Sequence, residues 1–118
     1  MRIAGYALPV GEAAQAYVEA HLAEPNFRRW RAMGKAAGDR QTAYDMDLAT
    51  GPWPGPVPLA AEAVSQGEAL NAECPNSGKP VTHLMRVGDK TIGFCNAFCR
   101  DKTVADPEAW PKAMALLR

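Results

Sequence analysis

The sequence predicts an α+β protein with helices first, a proline-rich strap in the middle, and a β-hairpin followed by a helix at the end. Three observations support this. Residues 12–33 are rich in helix-forming residues, residues 51–58 alternate proline with other residues, and residues 81–94 have strand character around a Gly88-Asp89-Lys90 turn. The predicted divisions of the chain are residues 1–50, 51–70 and 71–118.

Length and charge limit the function classes that fit the chain. Its 118 residues, 47% of them hydrophobic, suffice for one compact domain or two small units. Lys plus Arg number 13 and so do Asp plus Glu, and this balance argues against a nucleic-acid binder. We expect no membrane association, because no apolar run approaches the roughly 18 to 20 residues of a membrane span. The N-terminal residues lack a signal-peptide pattern, so we expect a cytoplasmic protein.

Two helices are predicted at the N-terminus. The first covers residues 12–23, and the second begins at Pro25 and stops at Gly34. Their predicted apolar faces are Ala13, Ala16, Tyr17, Ala20 and His21 on the first and Phe27, Trp30 and Met33 on the second. Little in this part of the sequence can cover such faces. We therefore expect them to pack on the C-terminal module, on a larger partner or on a second copy. A short third helix is predicted around residues 41–48.

The second half of the chain changes character after the strap. Alternating prolines predict an extended strap over residues 51–58, and Ala and Glu predict a short helix over residues 59–70. Strands are predicted over residues 81–87 and 91–94, with residues 95–99 in the first turn of a helix. Asp106 is predicted to cap a last helix that has Pro107 at its first position.

Three cysteines, Cys74, Cys95 and Cys99, stand with 20 and then 3 residues between them. Two cysteines four apart share one face of a helical turn, and the predicted hairpin brings Cys74 toward them. Three thiolates suit zinc, with copper(I) as the alternative. The other interpretation is that all three are small buried apolar residues.

Around these cysteines the sequence resembles the YHS/TRASH group of metal-binding modules, over about residues 72–112. The resemblance lies in Cys74-Pro75-Asn76-Ser77-Gly78-Lys79-Pro80-Val81, Gly88-Asp89-Lys90-Thr91-Ile92-Gly93-Phe94-Cys95, Cys99 and Asp106-Pro107-Glu108. It implies a treble-clef-like fold and metal binding or sensing through the three cysteines.

One position departs from the pattern of that group. Four-cysteine relatives have a CPxC turn, and Ser77 stands here where their second cysteine would be. The fourth coordination position is then open, filled by water, or supplied by His83 or, as a weaker candidate, Asp101. A module that has lost its metal and keeps its cysteines in the core is the alternative.

Residues 1–58 resemble the closing helices of a bacterial glutathione S-transferase. The similar segments are Arg2-Ile3-Ala4-Gly5-Tyr6, Ala16-Tyr17-Val18, Leu22-Ala23-Glu24-Pro25, Arg29-Trp30, Tyr44-Asp45-Met46-Asp47 and Pro52-Trp53-Pro54. The glutathione-binding half of such an enzyme is a βαβ unit, and these residues contain no βαβ pattern. No glutathione-binding or catalytic residue is therefore assigned.

Two functional hypotheses follow. In the first, the chain is a zinc or copper accessory or sensor module without turnover, attached to transferase-derived helices that contact a second copy or another protein. In the second, it is the C-terminal part of a glutathione S-transferase-like enzyme, with Cys95 as the reactive thiol in redox or conjugation chemistry. A pure interaction protein is a third option if the cysteines are inert.

Overall fold

The fold is α+β, as predicted, in a computed structural model that describes residues 2–39 and 41–118. The helices are α1 (Arg2–Gly5), α2 (Glu12–Ala23), α3 (Pro25–Ala37), α4 (Ala97–Ala105) and α5 (Pro111–Ala115). The strands are β1 (Glu62–Val64), β2 (His83–Val87) and β3 (Lys90–Phe94), and two 3₁₀ turns cover Thr42–Tyr44 and Pro107–Ala109. Within the described ranges, no helix has the length and apolar character needed to cross a membrane.

The three strands form one antiparallel sheet in the order β1-β2-β3. The predicted hairpin is confirmed: β2 and β3 pair through a turn in which Gly88 has a φ of 59°, a conformation that favours glycine. The helix predicted over residues 59–70 is wrong. Instead, Ala63 and Val64 of β1 lie opposite Met85 and Leu84, and this long-range pairing outweighs the local helix propensity of Ala and Glu.

The hydrophobic core lies between the sheet and the C-terminal helices. Met85, Ile92 and Phe94 are fully buried there, next to Cys74 and Ala113. Because Phe94 ends β3 and Cys95 follows it directly, the core fixes the strand end from which the cysteine projects. The packing of the hairpin therefore sets the position of the candidate site.

Both predicted N-terminal helices are present, but the second ends later in the chain than predicted. α2 has the expected bounds, whereas α3 continues past Gly34 to Ala37 and ends at Gly38, which has a φ of 74°. A glycine is tolerated inside a helix, and Gly38 supplies the left-handed residue at which the helix stops. The third helix predicted around residues 41–48 is only the short turn Thr42–Tyr44.

The predicted apolar faces of α2 and α3 are wrong in large part. Tyr17 is 72% exposed and Trp30 60% exposed, while Leu22 and Ala32 are the buried residues of the two helices. The small Ala32 is only 1% exposed, and α3 as a whole packs closely on α4. Of the other residues on the predicted faces, Phe27 and Met33 are half-buried. The rest are exposed, namely Ala13, Ala16, Ala20 and His21.

A buried ion pair joins α3 to the end of α4. Arg28 donates from Nε and Nη2 to the two carboxylate oxygens of Asp106 at 2.8 and 2.6 Å, and from Nη2 to Glu108 at 3.1 Å. Asp106 therefore does not cap the following turn through its side chain, contrary to the prediction. Its carboxylate is only 4% exposed and binds a guanidinium 78 residues earlier in the chain.

Candidate metal centre

Cys74 lies at the start of a tight turn, and its side chain belongs to the hydrophobic core. Its carbonyl accepts hydrogen bonds from the N–H groups of Ser77 at 3.3 Å and Gly78 at 2.8 Å, while its own N–H donates to the carbonyl of Lys79 at 2.8 Å. Gly78 has a φ of 70°, which closes the turn. Cys74 is 2% exposed, so its position is fixed by the turn on one side and the core on the other.

Cys95 and Cys99 come from the junction of β3 and α4. α4 begins at Ala97, and the Asn96 side chain caps it by accepting the N–H of Cys99 at 2.8 Å. Cys95 thus lies one residue before the cap. The prediction that it lies inside the first helical turn is wrong. The cap brings the two sulfurs together, with Cys95 Sγ and Cys99 Sγ 3.8 Å apart.

The three cysteine sulfurs all lie within 4.8 Å of one another. Four-coordinate zinc with bonds of about 2.3 Å to sulfur requires sulfurs about 3.8 Å apart, the separation found between Cys95 and Cys99. A shift of about 1 Å or less would bring Cys74 to the same distance, within the range of a side-chain adjustment. The three residues are thus close enough to bind one metal ion.

The thiols differ in how readily they ionise. Burial raises the pKa of Cys74, but the closeness of the Ser77 hydroxyl and of the backbone N–H groups of Cys95, Asn76 and Ser77 outweighs burial and lowers this pKa to about 7. Burial, contact with Cys95 and the nearby charge on Cys74 raise the pKa of Cys99 to about 11. The Cys74 thiol therefore loses its proton more readily than the Cys99 thiol.

Ser77 borders the cysteine cluster, three residues after Cys74. Its hydroxyl donates to Cys95 Sγ at 3.1 Å, and the Asn96 side chain donates to the same sulfur at 3.4 Å. Hydrogen bonds of this kind orient a thiolate and moderate its charge. The sequence predicted no ligand role for Ser77, and it carried no signal that this hydroxyl contacts a cysteine.

The structure does not bring the other two candidate ligands into the cluster. His83 begins β2, and its Nδ1 lies 2.9 Å from the hydroxyl of Thr82. The Asp101 carboxylate accepts a hydrogen bond from Arg100 at 2.7 Å. Among the described residues, the group of side chains able to share an ion contains only the three cysteines.

Comparison with known proteins adds no relationship: no family model, no curated protein and no solved structure matches the chain.

Proposed function

We propose that the C-terminal half of the chain is a metal-binding module in which Cys74, Cys95 and Cys99 hold one zinc or copper(I) ion. The observation that carries the proposal is the mutual distance of 4.8 Å or less among three thiol sulfurs from two separate segments. The hydrogen bonds to Cys95 from Ser77 and Asn96 support it, since they suit a charged thiolate.

We infer an accessory or sensing role rather than catalysis. α4 carries Cys99 in its first turn and is followed directly by Asp106, whose carboxylate binds Arg28 of α3. An ion on Cys99 would therefore fix one end of a helix whose other end contacts the N-terminal helices. The proposed relationships to the YHS/TRASH group and to transferase helices agree with a module attached to a helical segment.

The alternative, a glutathione S-transferase-like enzyme with a reactive cysteine, has less support from the site. Cys74 has the lowered pKa, yet only 2% of it is exposed, so a conjugation substrate has little access to its sulfur. Cys95 is more exposed, but its sulfur already accepts two hydrogen bonds and contacts Cys99. These contacts favour a shared ion over a free nucleophile.

Titration with cobalt(II), a coloured substitute for zinc, tests the proposal and its ligand set. We expect one equivalent to produce thiolate-to-cobalt absorption. Cys99→Ser should weaken cobalt binding by more than the roughly 10- to 100-fold effect of an outer-sphere residue. Ser77→Cys should add a fourth thiolate and strengthen binding at least about tenfold, or about 1.4 kcal/mol. His83→Gln is the matched control and should change neither spectrum nor affinity.

Absence of any thiolate-to-cobalt absorption in the reduced native protein would contradict the metal proposal. A loss of affinity in His83→Gln would contradict the three-cysteine ligand set and identify the histidine as the fourth ligand.

A further inference from the structure

A pocket of about 400 Å³ lies where the Cys74 turn, α3 and the start of α5 meet. Its volume falls in the range of small-molecule sites, about 300 to 1,000 Å³. The lining residues are Arg29, Asn76, Trp110, Pro111 and Lys112. Two of the five are cationic and none is acidic, so the pocket offers positive charge beside an apolar wall.

In the part of the chain that the structure describes, neither Arg29 nor Lys112 forms a direct ion pair with a carboxylate. At longer range, Arg29 interacts with the Glu24 carboxylate. Arg29 is nevertheless held in place, because its Nε donates to the carbonyl of Ala109 at 2.9 Å. Arg29 lines the pocket, and its Nη1 makes one further, long contact of 3.5 Å with the Asn26 side chain. A guanidinium held in this way is prepared to bind an anion with little loss of side-chain entropy.

The aromatic wall is also fixed. Trp110 Nε1 donates to the carbonyl of Lys102 at 3.0 Å, and the ammonium of Lys102 lies 4.2 Å from the centroid of the ring. With its N–H satisfied, the indole presents an apolar surface beside Pro111. Lys102 adds a further positive charge next to this wall.

Asn76 supplies an unpaired donor. Its side-chain Nδ2 is buried and has no acceptor among the described residues. A buried amide without a partner costs about 1 to 3 kcal/mol, and most such groups in proteins have one. This nitrogen is shielded from solvent, so an oxygen atom of a ligand in the pocket reaches it only if the Asn76 side chain turns toward the pocket.

We propose that this pocket binds a small organic anion, with a carboxylate or phosphate on Arg29 and Lys112 and an apolar part against Trp110 and Pro111. The two cations provide charge-assisted hydrogen bonds, and the fixed indole and proline favour a ring or short chain over an inorganic ion. The site is distinct from the cysteine cluster, although Asn76 lies two residues from Cys74.

The test is a titration followed by ¹H–¹⁵N NMR at the Trp110 indole and the Asn76 amide, with benzoate, phenyl phosphate and neutral benzyl alcohol as probes. We expect saturable shifts with one or both anions at millimolar or lower concentration, and the stronger probe distinguishes a carboxylate from a phosphate site. Lys112→Gln should weaken binding by about two- to fivefold, the effect of one partly exposed charge. Lys35→Gln makes the same charge change on α3 outside the pocket and should bind like the native protein.

Three results would overturn the proposal. The first is the absence of saturation up to about 10 mM with either anion, well above millimolar affinity. The second is equal weakening in the two lysine variants, or equal binding of benzyl alcohol, because either shows that the pocket does not select for charge. The third is a response that requires zinc and disappears with a chelator, since the anion would then be binding the ion.

Discussion

The two halves of the molecule differ in how they bury their large side chains. In the C-terminal half, Phe94, Met85 and Ile92 have no exposed surface, whereas in the N-terminal helices Tyr17 is 72% and Trp30 60% exposed. The radius of gyration, 16.3 Å, exceeds the roughly 13.5 Å expected for a compact domain of this length. The C-terminal half thus contains the core that holds the cysteines, while α3 joins it by packing closely on α4 and through the Arg28–Asp106 pair.

The most severe test of this comparison is to truncate one aromatic residue in each half. Phe94→Ala should lower the free energy of unfolding by about 3 to 5 kcal/mol, because it leaves a cavity beneath the cysteine-bearing strand end. Tyr17→Ala, at an exposed position of α2, should change it by no more than about 0.5 kcal/mol. Urea denaturation of both variants checks the difference, and similar losses in the two would show that the halves share one core.

A second pair of variants measures the junction between the halves. Asp106→Asn keeps the shape of the side chain but removes the charge that the Arg28 guanidinium binds, in a pair whose side chains are 17% and 4% exposed. We expect a loss of about 2 to 3 kcal/mol in the free energy of unfolding. Glu62→Gln breaks the exposed pair with Arg86, whose side chains are 60% and 49% exposed, and should cost about 1 kcal/mol or less.

If the two substitutions cost the same, the junction contributes no more than an ordinary surface contact. The helices would then be attached mainly by the packing of α3 on α4.

The sequence predicted the site better than it predicted the packing of the helices. The cysteine spacing and the Gly88 turn are local signals, and the hairpin they predict places the thiols together. β1 was missed because its pairing with β2 joins residues 20 to 24 positions apart in the sequence. The local run of Ala and Glu contains no information about that pairing, and its propensity alone predicts a helix.

The buried face of α3 was missed for a similar reason. Apolar periodicity favours Phe27 and Trp30, yet the buried residue of α3 is Ala32, and Arg28 of this helix binds Asp106 at the end of α4. A small residue and a distant charge partner leave no hydrophobic period in the sequence. The pocket beside Asn76 was missed as well, because three separate segments form it.

The smallest expected effect concerns pH and should be confined to the C-terminal half. To bind both cysteines, zinc must displace the proton of the Cys99 thiol, because the pKa of this thiol is raised to about 11. Below pH 7 it must also displace the proton of the Cys74 thiol, whose pKa is lowered to about 7. Zinc affinity should therefore rise with pH. The two thiols together should raise the zinc association constant about a hundredfold per pH unit below pH 6 and about tenfold per pH unit above pH 8. Competition titrations across this range give the slope, and an affinity independent of pH would mean that no thiol proton is displaced.

The most direct test of the central claim is the metal content of the protein purified under reducing conditions, measured by elemental mass spectrometry beside Cys95→Ser. We expect about one zinc or copper per native chain and a large loss in the variant, because two thiolates hold such ions far more weakly than three. No bound metal in the native protein after incubation with either ion, with the fold intact, would contradict the account and leave the cysteines as core residues.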